Sequence, residues 1–180
     1  MADFKIANKI TAGNEGGYSN DAHDHGGETF AGIARNYWPK WGGWPLIDSY
    51  KKQHGLTNIN TLLHDAGMIT FIQAFYKQNF WDVIKGDLIN DQQIANQAYD
   101  MAVNSGTGAS AKMLQRIANV AVDGSIGAMS IAAINGMPAQ SFYTALIAAR
   151  KAFYDNIIAK DPTQAKFRNS WYSRLTPYKL

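Results

Sequence analysis

Cysteine is absent from this chain of 180 residues, and glutamate is nearly absent, with two among 14 acidic residues. Without thiols the chain has no disulfide framework, no thiol nucleophile and no Cys-based zinc or iron–sulfur site, while its redox compartment stays open. No apolar run reaches the length of about 18 residues that a membrane span needs. About 70% of the unfolded surface can be buried at this length. The length therefore predicts one compact domain, or two small lobes that share a core, which folds without a disulfide or a structural metal.

Charge is sparse and unevenly distributed. Charged residues make up 17% of the chain and hydrophobic residues 46%, which is typical of a globular protein. Residues 1–90 carry 8 Lys and Arg against 9 Asp and Glu, whereas residues 91–180 carry 9 against 5. A mildly basic second half suits nucleic acid, anionic lipid or bacterial cell wall, and equally suits ordinary solubility. Because the basic residues are scattered, without a run of three, we expect no nucleic-acid partner.

We expect no secretory signal at the N-terminus, because residues 1–5 lack a basic region followed by an apolar stretch. If the substrate lies outside the cytoplasm, we expect the protein to leave by lysis, by a holin-type pore or by a dedicated route.

Apolar residues recur at steps of three and four along most of the chain, which predicts amphipathic helices. The segments are 3–13, 61–80, 91–104, 109–121 and 141–158. Asp91 and Ser141 are placed to cap the N-termini of two of them. Asp123-Gly124 and residues 135–138 predict turns. The sequence therefore predicts a mainly α fold.

Residues 13–48 interrupt this helical pattern. The segment contains eight glycines, both glutamates, two of the four histidines and three of the five tryptophans. A polar, glycine-rich and aromatic-lined loop held between helices is where a functional site is expected.

Glu15 is the first candidate for chemistry in this segment. It lies at the edge of the apolar stripe and at the end of the first predicted helix, directly before Gly16-Gly17. Partial burial and the negative end of the helix dipole would both raise the pKa of its carboxyl group. A raised pKa suits a general acid near neutral pH. The alternative is that Glu15 caps a helix or bonds a loop amide.

Asp24 and Thr29 follow nine and fourteen residues after Glu15. A glycosidase needs a second group opposite the acid to position water or stabilise positive charge on the sugar. A loop that returns across the cleft would bring Asp24 and Thr29 there, with Asp21 and Glu28 as rivals. His23, Asp24 and His25 also permit a metal-site interpretation, although no distant pair of further ligands is evident. We expect no metal and no cofactor.

These residues belong to an ordered set of motifs along nearly the whole chain. Glu-Gly-Gly-Tyr at 15–18, Asp-x-Gly-Gly-x-Thr at 24–29 and Gly-Ile at 32–33 are followed by Asp-Met-Ala-Val-Asn-Ser-Gly at 100–106 and Asp-Gly-Ser-Ile-Gly at 123–127. An Arg–Phe-Tyr helix at 150–154 and a Phe–Trp–Arg tail at 167–174 end the series. The set resembles glycoside hydrolase family 108, the N-acetylmuramidases also described as secretion activators and phage endolysins.

The resemblance implies a lysozyme-like, two-lobed helical fold with the glycine-rich loop at an active-site cleft. Residues 1–90 would form the catalytic lobe. Residues 91–180 would form a helical lobe similar to a peptidoglycan-binding region, and the two would pack as one compact unit. It also implies hydrolysis of the β-1,4 bond between N-acetylmuramic acid and N-acetylglucosamine, with Glu15 as catalytic acid. The order of Glu15, Asp24 and Thr29 is similar to the triad of phage-type lysozymes, which suggests an inverting mechanism.

The partner implied is bacterial peptidoglycan. We expect a monomer that is made in the bacterial cytoplasm and acts at the cell wall or in the periplasm.

Further residues are predicted to bind the glycan: Tyr18, Asn20, Tyr99, Asp100 and Asn104. Asp100 and Asn104 are four residues apart and so share a helix face, where they either bond sugar amides or form a polar surface. Of Trp38, Trp41, Trp44 and Trp81, we expect at most one or two to stack on sugars, since most large aromatic side chains lie in cores. Three rival functions stay open, namely a non-catalytic wall-binding protein, a metal-dependent wall hydrolase and a helical partner-binding module.

Overall fold

The computed structural model describes residues 1–12, 16–20 and 26–179, and these residues are mainly helical, as predicted. The α-helices are α1 (Phe4–Ala12), α2 (Trp44–His54), α3 (Ala66–Tyr76), α4 (Gln92–Ser105), α5 (Thr107–Ile117), α6 (Ala128–Gly136), α7 (Ala139–Lys160) and α8 (Arg168–Ser173). Shorter helical segments are Ile59–His64, Gly86–Leu88 and Pro162–Phe167, of the 3₁₀ type, and Lys77–Trp81, of the π type.

The chain forms two compact units. The helical unit comprises Met1–Lys9 and Asn79–Leu180, and the sheet unit comprises Ile10–Gln78. The division into a catalytic lobe at residues 1–90 and a wall-binding lobe at residues 91–180 stays a prediction. No helix among the described residues combines the length and the apolarity that crossing a bilayer requires.

The helical unit is built around α4, which packs against α5 and α7. Beside it, the rings of Phe4, Trp81 and Tyr99 meet edge to face, with 5.8 Å between the centroids of each pair. Trp81 and Tyr99 have no exposed surface. The indole nitrogen of Trp81 donates a hydrogen bond to Asp87 Oδ1 at 2.7 Å. Aromatic pairs of this geometry add about 0.5–1.5 kcal/mol each to the burial of their surface.

One predicted helix cap is confirmed and the other is wrong. Asp91 precedes α4, and its carboxylate accepts hydrogen bonds from the backbone N–H groups of Gln93 and Ile94. Ser141 lies inside the first turn of α7 rather than at its start. Pro138, with φ −56°, precedes the helix and already has the backbone angle that suits a helix start.

The predicted helix over residues 61–80 is divided in the structure. A 3₁₀ segment ends at His64, and α3 begins at Ala66. Asp65 causes the break, because its side chain accepts a hydrogen bond from the N–H of Met68 at 2.8 Å and so caps a new helix.

The sheet unit carries a small antiparallel sheet that the sequence did not predict. Its strands are β1 (Tyr18–Ser19), β2 (Thr29–Phe30) and β3 (Ile33–Ala34), in that order. Ala31 and Gly32 connect β2 to β3 with φ values of 49° and 76°, as tight two-residue hairpins require. The hydroxyl of Tyr76 on α3 donates to the carbonyl of Ala31 at 2.7 Å and holds this turn.

Candidate functional site

The proposed catalytic carboxylates, Glu15 and Asp24, lie outside the described residues, as do Asp21, His23 and His25. The structure therefore describes the chain on both sides of them. Within the described ranges, no group of three His, Asp or Glu side chains is arranged to hold a metal ion.

Pairing of β1 with β2 joins the two sides of this segment. Tyr18 lies opposite Phe30, and Ser19 lies opposite Thr29. The pairing brings the chain that follows Glu15 beside the chain that follows Asp24. Tyr18 and Thr29 are thus placed on adjacent strands, and Asn20 is exposed just beyond β1.

Thr29 is half-buried, and its side chain forms a hydrogen bond with the backbone. Its Oγ1 lies 3.2 Å from the carbonyl oxygen of Gly27 and donates to it. Because the hydroxyl proton is used in this bond, the lone pairs of Oγ1 remain available to accept a hydrogen bond. The side chain can therefore orient a water molecule or a sugar hydroxyl that donates to it.

Glu28 is the centre of a polar cluster in the sheet unit. Only 11% of its side chain is exposed. Oε1 lies 2.7 Å from Lys51 Nζ and accepts from the hydroxyl of Tyr18 at 2.9 Å. Oε2 lies 2.7 Å from Arg35 Nε. The carboxylate therefore joins β1, the residue that follows β3, and α2.

The charges of the cluster are reinforced by its neighbours. The guanidinium of Arg35 binds Asp48 through two nitrogens, at 2.7 and 3.1 Å, and lies 4.3 Å from the ring centroid of Trp44. This hydrogen bonding lowers the pKa of Asp48 and raises that of Arg35. The bond to Glu28 raises the pKa of Lys51. Burial and the bond to Glu28 raise the pKa of Tyr18, so its hydroxyl stays protonated and donates.

We expect Glu28→Gln to destabilise the sheet unit by about 1–2 kcal/mol. The amide keeps an acceptor for Tyr18 but removes the charge that Arg35 and Lys51 face, and both cations are partly exposed, which limits the loss. Urea unfolding measures the effect. Asp48→Asn is the matched control, because Asp48 pairs with the same arginine while 51% of its side chain is exposed; we expect less than about 1 kcal/mol there. Equal losses in the two variants would contradict a special role for Glu28.

Three of the predicted glycan-binding residues, Tyr99, Asp100 and Asn104, lie in the helical unit, and the first two are buried. Tyr99 is fully buried, and its hydroxyl donates to Asn8 Oδ1 at 2.8 Å. Asp100 is 6% exposed. Asn104 is exposed near the end of α4, where its amide donates to the backbone oxygen of Asp100 at 2.7 Å. The interior position of Tyr99 and Asp100 differs from the predicted position on a cleft wall.

The physical reason is the pairing of Asp100 with two arginines. Its Oδ2 lies 2.5 Å from an Nη of Arg150, which is fully buried, and its Oδ1 lies 2.8 Å from an Nη of Arg174. Arg150 also donates to the side chains of Gln97 and Tyr154. The C-terminal segment is held onto α4 in the same way, since the Gln97 amide donates to the carbonyl of Arg174. Asp100 therefore holds α4, α7 and the C-terminal segment together.

Of the four tryptophans considered for sugar stacking, three are core residues. Trp41, Trp44 and Trp81 are 9%, 3% and 0% exposed. Trp38 is 41% exposed and packs edge to face against Phe75, with 4.9 Å between the ring centroids. Trp38 is thus the most exposed of these four.

Comparison with known proteins identifies the family. The sequence profile described as Glycosyl hydrolase 108 matches residues 8–106, which is more than half of the chain and includes the Glu-Gly-Gly-Tyr and Asp-x-Gly-Gly-x-Thr motifs. The chain belongs to glycosyl hydrolase family 108. A second profile, described as Predicted Peptidoglycan domain, matches residues 109–176. No match was found among curated proteins.

A solved structure of a similar chain supports the fold of this family 108 protein. The structure described as that of Brucella abortus SagA superposes with a TM-score of 0.66 at 27% sequence identity. The match covers 96% of this chain and 88% of that one. The predicted family and the mainly α, lysozyme-like fold are confirmed. The protein is a peptidoglycan hydrolase of the glycoside hydrolase kind, and its peptidoglycan domain indicates action at the cell wall.

Several residues of the site region were not predicted from the sequence. Arg35 directly follows β3, Lys51 lies on α2 and Asn60 lies on a 3₁₀ segment. Only folding brings them to Glu28 and Tyr18. One signal in the sequence was the scarcity of glutamate, which marked Glu28 but did not indicate its partners. The spacing Thr61-x-x-His64 was a second signal, because it matches the three-residue repeat of a 3₁₀ helix.

Proposed function

We propose that this family 108 hydrolase is an N-acetylmuramidase of the lysozyme type, which cleaves the β-1,4 bond between N-acetylmuramic acid and N-acetylglucosamine. The observation that carries the proposal is the family match over residues 8–106, within which Glu15 is the one glutamate that precedes Gly-Gly-Tyr. The peptidoglycan domain match over residues 109–176 supports the polymeric substrate.

In the proposed mechanism Glu15 protonates the glycosidic oxygen, and the leaving sugar departs as positive charge develops on its neighbour. Asp24 acts as base towards a water molecule on the opposite face of the ring, which inverts the anomeric centre. Thr29 Oγ1, with its proton bonded to Gly27, accepts a hydrogen bond from that water and orients it. Tyr18 and Asn20 contact the glycan from the end of β1.

The protein works as a monomer, without a cofactor and without nucleic acid, under this proposal. Its action is bacteriolytic when the wall is under turgor, as for an endolysin, and the same bond cleavage opens the wall locally for a secretion activator. Made in the bacterial cytoplasm, it reaches its substrate at the wall or in the periplasm.

Product analysis tests the proposal. Purified peptidoglycan digested with the protein, reduced with borohydride and hydrolysed should give muramitol, because a muramidase leaves the new reducing end on N-acetylmuramic acid. Glucosaminitol would indicate the other glycosidic bond, and new free amino groups would indicate an amidase or a peptidase. Digestion in EDTA should proceed at the same rate. A loss of activity in EDTA would favour a metal-dependent hydrolase using His23, Asp24 and His25.

A further inference from the structure

A cavity of about 490 Å³ that opens widely to solvent lies in the sheet unit, along the segment that follows α2. The described residues that line it are Leu56, Asn58, Ile59, Asn60, Thr61 and His64. Its volume falls within the range of small-molecule and sugar-sized sites. No part of the function described so far uses it.

The local backbone explains why polar side chains converge there. Residues 59–64 form a 3₁₀ helix, in which side chains three positions apart lie directly above one another. Thr61 and His64 have this spacing, and Asn58, directly before the helix, lines the same cavity; we call these three residues the row. The hydrogen bond from the N–H of Thr61 to the carbonyl of Asn58, at 2.8 Å, holds the first turn. Asn58 begins the row in a left-handed conformation with φ 54°, which asparagine tolerates better than most residues.

The row is exposed and its hydrogen-bonding groups are unused within the described part of the chain. The side chains of Asn58, Thr61 and His64 make no hydrogen bond to another described residue, and all three are exposed. Leu56 and the buried Ile59 add apolar surface. Amide, hydroxyl and imidazole groups beside apolar carbon are suited to the hydroxyls, acetamido groups and C–H faces of a sugar.

The cavity is connected to the catalytic motif through Asn60. Its Oδ1 accepts a hydrogen bond from the backbone N–H of Tyr18 at 2.8 Å. Gly17 approaches so closely that a Cβ at this position would lie 2.5 Å from the same oxygen. Gly17 and Tyr18 belong to the Glu-Gly-Gly-Tyr motif, so a residue of the cavity lining contacts the backbone of this motif.

The absence of charged residues from the described lining favours the glycan strand over the stem peptides as its ligand. No Asp, Glu, Lys or Arg occurs among the described lining residues. The stem peptides of peptidoglycan carry carboxylates and amines, which would call for charged partners, whereas the glycan strand presents neutral groups. We propose that the row Asn58–Thr61–His64 is a subsite for an N-acetylhexosamine ring of the glycan strand next to the cleavage point, an inference that rests on the proposed muramidase function.

The test separates binding from chemistry. Thr61→Val with His64→Ala removes two polar groups of the row without touching Asn60, which holds Tyr18. We expect the KM for solubilised glycan strands to rise on the order of 10-fold, as the loss of two hydrogen bonds implies, with kcat within about twofold. Thr70→Val with His54→Ala is the matched control, since both residues are exposed and lie outside the cavity lining. An unchanged KM, or a fall in kcat alone, overturns the proposal.

A binding measurement keeps this outcome distinct from failure of the proposed function. Tetra-N-acetylchitotetraose is titrated into the Glu15→Gln protein, and the side-chain amide signals of Asn58 and Asn60 are followed by NMR. We expect these signals to shift, and the Thr61→Val, His64→Ala substitutions to abolish the shift. If product analysis shows that the wild type does not cleave glycan, this titration alone decides the subsite, and no shift at these side chains overturns it.

Discussion

Replacing Glu15 with glutamine should lower the rate of peptidoglycan hydrolysis on the order of 100-fold or more. The amide has nearly the same size but no proton to give to the leaving oxygen, and general acid catalysis contributes about 10²–10⁴ in rate. Because Glu15 follows the last turn of α1 and precedes Gly16-Gly17, the substitution removes chemistry from the chain without removing a predicted core residue. The measurement is the release of reducing ends from purified peptidoglycan at saturating substrate.

The control for this variant is the other glutamate. Glu15→Gln should leave the helical circular dichroism and the urea midpoint of the wild type in place, whereas Glu28→Gln should lower the midpoint through the loss of its pairs with Arg35 and Lys51. The residual activity of Glu15→Gln should also lose the alkaline decline that the acid imposes on the pH profile. Activity near that of the wild type would contradict the assignment of Glu15 as the acid.

Replacing Asp100 with alanine should destabilise the protein by about 3–5 kcal/mol, the usual cost of removing one partner from a buried ion pair. The reason is that the two arginine partners of Asp100 are buried. Arg150 has no exposed surface, and the Arg174 side chain is only 12% exposed, so both guanidinium groups would lose their carboxylate away from water. Urea unfolding followed by tryptophan fluorescence measures the effect, since Trp171 stacks on Tyr154 beside Arg150.

An exposed ion pair on α7, the helix that carries Arg150, provides the comparison. Lys151 lies next to Arg150 in sequence and pairs with Asp155 at 2.9 Å, with both side chains about half exposed. Lys151→Gln should leave the urea midpoint close to that of the wild type, because solvent screens this exposed pair. A loss below about 1 kcal/mol for Asp100→Ala would contradict the structural role of Asp100 and would return it to the set of candidate glycan-binding residues.

Local features of the fold were predictable because their causes lie within a few residues. Asp91 caps α4 through two backbone N–H groups only two and three positions away. The two wrong helix predictions also have local causes, which the spacing of apolar residues does not reveal. Pro138 starts α7 before Ser141 can cap it, and Asp65 ends one helical segment by capping the next.

The site region was predictable only in part, because its contacts join distant positions. Glu28 stood out by composition, yet its role depends on Lys51, which is 23 residues away. Asp100 was expected at a surface from its helix position. Its burial depends on Arg150 and Arg174, which are 50 and 74 residues further along the chain.

The sequence by itself determined the family, the helical class and the order of the proposed catalytic residues Glu15, Asp24 and Thr29, since these depend on residue types at short spacings. Tertiary structure alone decided which polar residues are structural and which are open to a ligand. Burial makes an unpaired charge costly, so Glu28 and Asp100 are enclosed by cations that the fold brings to them. The row Asn58–Thr61–His64, by contrast, lines an open cavity, and no described residue forms a hydrogen bond to its side chains.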